Sequence, residues 1–161
     1  MHRRFSPYVF VLPALLGCGL ENASPTKKLA DSVQGFTEAT RWGQLSTAAN
    51  LVDPTFRTRF MENHRHWGGA VQVADSDIVH VEISTDKQNA TALVAYQWYL
   101  TGQMSLLYTV VQQRWTALGD GYGLVSEAVV QGDGRLFNPA GNPAPPSGTE
   151  PVSLLGESSE Y

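Results

Sequence analysis

An α+β fold, with helices gathered on one face of an antiparallel sheet, is what this sequence predicts, and three observations carry it. Apolar residues recur at three- and four-residue steps as far as about residue 67. After Ala70 the period changes, with apolar residues alternating at every second residue from Val79, and Gly, Asp and Pro clusters separate the segments of both kinds. Helices first and strands after is the order of an α+β domain. With 161 residues, 42% hydrophobic and 16% charged, the chain holds enough for one domain plus terminal segments. Four Trp, six Tyr and six Phe can fill its core, and the single Cys excludes an intrachain disulfide.

Ser24-Pro25 is a helix start, a capping hydroxyl followed by proline at the first helical position. Leu29, Val33, Phe36 and Thr40 then form one stripe, and Gly43 ends the helix. A short second helix over residues 44–51 carries Leu45, Ala48 and Ala49. Asp53-Pro54 begins a third, running to about His66, with Phe56, Phe60, His64 and Trp67 on one face and Gly68-Gly69 after it. The first strand shows as Val79, Val81 and Ile83 alternating with His80 and Glu82; the turn-rich "TDKQNA" follows. Ala92, Val94, Tyr96, Trp98 and Leu100 mark the second strand, and Thr101-Gly102-Gln103 a tight hairpin. Residues 104–116 form a long third strand; after a Gly-rich turn at residues 119–123, residues 124–130 form the last.

The two ends differ from the middle. His2, Arg3 and Arg4 precede a mostly apolar run to Leu16. As a helix of about 1.5 Å rise per residue, that run is too short for a bilayer core of about 30 Å. A basic start, a short apolar centre and a small residue before the break have the form of a cleaved export signal over residues 1–17. Leu15-Leu16-Gly17-Cys18 resembles the lipobox of bacterial lipoproteins, in which the cysteine is lipidated and becomes the new N-terminus. The resemblance implies an acylated Cys18, a spacer over residues 18–25, and a protein held to the bacterial cell envelope through its lipid. Gly19 stands where some inner-membrane lipoproteins keep an Asp, which favours the outer membrane. Loss of Arg3 and Arg4 leaves nine basic against fifteen acidic residues, a net charge of −6. That balance excludes nucleic acid as a partner and leaves anchoring to the acyl chains. At the other end, residues 138–161, with "NPAGNPAPPSGTEP", have the composition of a disordered tail.

Between them, residues 26–137 resemble the nuclear transport factor 2-like superfamily, also called SnoaL-like or ketosteroid-isomerase-like. "FTEATRWGQLSTAANLVDPTFRTRF" carries the likeness: a first helix ending at Arg41-Trp42-Gly43, an Ala-rich second helix, and Val52-Asp53-Pro54 opening the third. The resemblance implies helices closing over a strongly curved sheet as a cone, with a pocket between them, and a frequent dimer through the sheet.

His64 is the polar residue on the apolar face of the third helix. It reads as a general base, a ligand-binding donor or a hydrogen-bonded core residue. A three-residue loop at residues 101–103 sets Tyr96 opposite Tyr108, Trp98 opposite Leu106 and Ala92 opposite Gln112, all on one face; a two-residue loop pairs them differently. On the first register His64, Tyr96, Trp98, Tyr108 and Gln112 line a pocket for a small apolar ligand, and core packing is the other reading of the same residues. Glu82 and Glu127 are the strand carboxylates: Glu82, opposite in parity to Val79, Val81 and Ile83, reads as part of a solvated face rather than as a pocket acid, and Glu127, between Val125 and Val129, is open to the same two readings. The first helix has no Tyr to serve as the isomerase's oxyanion donor, so that chemistry does not carry over. His64, His66 and Glu62 lack a spacing that a helix could close on a metal, and no cofactor is implied. Three functions follow: a non-catalytic small-molecule-binding or protein-interaction lipoprotein; a SnoaL-like isomerase, dehydratase or hydrolase using His64; and an assembly module dimerising through its sheet.

Overall fold

The computed structural model describes residues 23–103 and 105–141, so the expected export signal and lipidation site at Cys18, and most of the Pro-rich tail, lie outside the described residues. Helix α1 spans Pro25–Arg41, α2 Leu45–Ala48 and α3 Arg57–His64; strands β1 Val71–Ile83, β2 Asn89–Leu100, β3 Leu107–Leu118 and β4 Gly121–Gly132 follow. The strands form one antiparallel sheet in the order β1-β2-β3-β4. The class is α+β, with a curved open sheet.

The Ser24 hydroxyl accepts from the Lys27 amide and Pro25 opens the helix, as that pair predicts. One face of α1 buries Leu29, Val33, Phe36, Thr37 and Thr40 against the sheet. At its end Gly43 (φ +66°) meets Gly68 (φ +74°); a Cβ on Gly43 would lie 2.8 Å from the Gly68 Cα. Only glycine permits both that backbone and that approach, so the two helix ends are fixed side by side.

Two helices differ from expectation. α2 is a single turn that tightens into a 3₁₀ turn at Ala49–Leu51. α3 starts at Arg57 rather than at Pro54, because the preceding backbone is used elsewhere: the Asp53 amide donates to the Leu124 carbonyl, and Val52 bridges Leu124 on β4. The Asp53 carboxylate caps a local turn through the Thr55 amide and hydroxyl.

β1 begins at Val71, eight residues before the alternation at Val79. The cause is a pair of bulges, at Ala74 and Val79, that break the period of two. β4 carries the other two, at Val125 and Val130. All four bulges are therefore on the edge strands, where they bend the sheet around α1 and disrupt the unpaired edges that would otherwise template aggregation.

The face toward the helices presents Val94, Tyr96 and Trp98 from β2, Val111 and Trp115 from β3, and Leu124 from β4, all buried. Phe36 and Phe60 from the helices meet there at 5.5 Å between ring centres, and Phe36 meets Trp115 edge-on at 5.6 Å. Each such side chain contributes about 1.5–3 kcal/mol by leaving water. The chain then returns: the Leu136 carbonyl accepts from the Trp67 indole at 3.1 Å, and Phe137 stacks on that ring.

Candidate functional site

The register between β2 and β3 decides which residues share the interior. Tyr96 pairs with Thr109, Trp98 with Leu107 and Ala92 with Gln113. The expected pairing of Tyr96 with Tyr108 and Ala92 with Gln112 is displaced by one residue, because the connection runs from Leu100 to Leu107 rather than through a three-residue loop. A shift of one turns every side chain of a strand to the other face. Tyr108 is therefore on the outer face and 47% exposed, and Gln112 lies beside Leu93 and Ala128 on that same face. Thr109 and Gln113 take their places inside, both fully buried.

Each interior newcomer has a polar task. Thr109 accepts from the Trp98 indole at 2.9 Å and donates to the Asp133 carbonyl at 2.7 Å. Gln113 donates its amide to the Tyr96 hydroxyl at 3.4 Å and to Glu127 Oε1 at 3.3 Å. Glu127 is paired with Gln113 across β3 and β4, which aims it inward. Its side chain is 1% exposed, and Oε2 lies 3.5 Å from His64 Nε2. His64, at the end of α3, is fully buried, between the rings of Phe60 (4.4 Å), Trp67 (4.5 Å), Phe137 (5.1 Å) and Phe36 (6.3 Å).

The proton inventory follows from hydrogen bonding. His64 Nδ1 lies 3.0 Å from the Phe60 carbonyl, which only accepts, so Nδ1 carries a hydrogen. In the neutral ring Nε2 is then a bare lone pair facing Glu127. Burial lowers His64 from 6.5 to about 4, against the opposing Phe60 bond. Burial likewise raises Glu127 from 4.5 to about 8, against the Gln113 amide. At neutral pH the pair is thus an uncharged imidazole beside a protonated carboxyl. The Tyr96 hydroxyl is pushed up as well, by burial first and by the Glu127 carboxyl second. His64 Nε2, Glu127 Oε2, Gln113 Oε1, Trp115 Nε1 and Thr37 Oγ1 are buried and find no hydrogen-bond partner among the described residues.

Chemically this is an acid and a base side by side, closed from solvent by aromatic rings. The structure buries His64, Tyr96 and Trp98 in one interior, turns Glu127 inward rather than to solvent, and adds Gln113, which the sequence does not single out. A signal for them existed: Val111, Gln113 and Trp115 share a parity opposite to Arg114, and Val125 and Val129 flank Glu127. Among the described residues no group of three or more His, Cys, Asp or Glu is placed to hold a metal ion, and no helix is long and apolar enough to cross a membrane.

No protein-family model matches the chain, and no curated protein matches it. Among solved structures, the crystal structure of the intermembrane space region of the chloroplast protein ARC6 is similar at a TM-score of 0.42 and 8% identity, covering 66% of this chain and 96% of that one. A likeness so distant carries no argument about function.

Proposed function

We propose that this chain is a lipid-anchored protein of the bacterial cell envelope whose SnoaL-like domain is a non-catalytic binding or interaction module. The observation that carries the non-catalytic part is the closure of the His64–Glu127 pair: with side chains 0% and 1% exposed, neither group can be reached by a substrate. A general base must come within hydrogen-bond reach of the proton it removes. The three helical segments followed by antiparallel hairpins support the SnoaL-like reading, and Leu15-Leu16-Gly17-Cys18 supports the anchor.

Diethylpyrocarbonate, which acylates accessible neutral imidazoles, tests the closure. In the folded full chain His80, exposed on β1, should be modified, while His64 should stay unmodified until the protein unfolds. Modification of His64 at the rate of His80 would return the enzyme reading. The mass of the mature N-terminal peptide tests the anchor: a diacylglyceryl-modified Cys18 is expected, and an unmodified Met1 start removes the proposal.

A second reading, assembly through the sheet, is favoured by the outer face, where Tyr99 and Tyr108 are 38% and 47% exposed near Leu106. Sedimentation over a range of concentrations decides it, since a monomer throughout would exclude a dimer.

A further inference from the structure

The outer face holds a second polar constellation, and it is open. Glu82 on β1, Thr91 on β2, Arg114 on β3 and Ser126 on β4 are successive partners across all four strands. With Asn89 and Val125 they line a groove of about 550 Å³. That is the size of a small-molecule site, but hydroxyls, an amide and two charges dominate here where most such sites are apolar, so the occupant has to be polar. Glu82 and Arg114 are both exposed, and among the described residues neither makes an ion pair. Their strands are two spacings apart, about 10 Å, with β2 between them. The chain as a whole is acidic. Its field repels a bare anion, whereas a molecule carrying both charges is not penalised.

We infer that this groove binds a small zwitterion of the amino-acid or short-peptide class. The ligand's carboxylate takes the two-pronged Arg114 guanidinium, its ammonium meets Glu82, and its amide lies over Thr91, Asn89 and Ser126. An extended dipeptide spans about 7 Å, which fits between side chains that stand up from strands about 10 Å apart. The inference rests on the reading of this domain as a binding module and gives that module a ligand class and a place.

Glycylglycine is the probe, titrated into the ¹⁵N-labelled full chain to millimolar concentration. Saturable shifts are expected at the Thr91, Arg114 and Ser126 amides, and Arg114→Gln or Glu82→Gln should each weaken binding by about tenfold. N-acetylglycine and glycinamide, which keep one charge each, should weaken it by a similar factor. The inference is overturned by an absence of saturable shifts, by shifts unchanged in both variants, or by a one-charge analogue that binds as well as glycylglycine. Both substitutions are at exposed positions, so a dispersed spectrum shows that the variants are folded. Failure here with His64 still closed to diethylpyrocarbonate removes only the ligand class; an accessible His64 removes the non-catalytic reading itself.

Discussion

Glu82 and Glu127 occupy one sheet and live in different media. Glu82 is on β1, pairs with Thr91 on the face turned away from the helices, and is solvated. Glu127 is on β4, pairs with Gln113 on the face turned toward them, and has a side chain that is 1% exposed. The same functional group is a solvated carboxylate in the first place and a protonated carboxyl in the second, because burial penalises the ionised form. Position on the pleat, fixed by register and bulges, sets the chemistry more than residue type does. The interior then specifies the fold, and the exterior is left for recognition.

The largest expected effect comes from emptying the interior. His64→Ala removes a ring packed against four aromatic side chains and strands Glu127 beside a void. A loss of about 3 kcal/mol is expected in denaturant unfolding. A loss below about 0.5 kcal/mol, the level of surface changes, would mean that His64 is not packed in this way.

The next effect is in pH. Glu127 has a folded pKa of about 8 against an ordinary 4.5, so the folded chain keeps a proton that the unfolded chain releases, and stability falls as pH rises. His64 has the opposite shift, from 6.5 down to about 4, and stability falls as pH drops below 6.5. Between about 4.5 and 6.5 the two slopes oppose each other, giving a plateau. From pH 6.5 to 8 only Glu127 acts, and about 2 kcal/mol should be lost. Asp133, held low by its bond from Arg135, titrates far below this window. Glu127→Gln should flatten the 6.5-to-8 region and convert the plateau into a decline toward acid. A wild-type profile already flat from 6.5 to 8 would mean that the folded pair holds no proton there, with Glu127 ionised beside a neutral His64.

The register supplies a sharper contrast between neighbouring residues. Thr109→Val leaves the buried Trp98 indole without its acceptor and the Asp133 carbonyl without its donor. About 1–2 kcal/mol should be lost by thermal or denaturant unfolding. Tyr108→Ala, one residue away on the outer face, should change stability by less than about 0.5 kcal/mol. The reverse ranking would restore the register that places Tyr108 and Gln112 inside.

These contrasts also mark what the sequence could disclose. Ser24-Pro25, the stripe from Leu29 to Thr40, and the glycines at 43 and 68 are local signals, and the helical half reads from them. Tyr96 and Trp98 inside β2 follow from an unbroken alternation. Glu127, Gln113 and the outward Tyr108 depend on where β3 is set against β2 and on bulges at Val125 and Val130, which are settled only when the sheet closes on the helices. An eight-residue piece of β1 was hidden for the same reason, since its bulges break the period on which strand recognition rests. Capping and periodicity are properties of a segment, whereas register is a property of a pair.

The smallest expected effect completes the comparison. Glu82→Gln and Arg114→Gln touch exposed side chains with no ion pair among the described residues, so neither should move stability by more than about 0.5 kcal/mol, and neither should alter the pH profile that Glu127 governs. A groove kept for a ligand should show this separation, with charges that matter for recognition and not for folding. If either variant costs as much as Thr109→Val, the outer row is holding the sheet together, and its two charges have a structural reason to be there without any ligand.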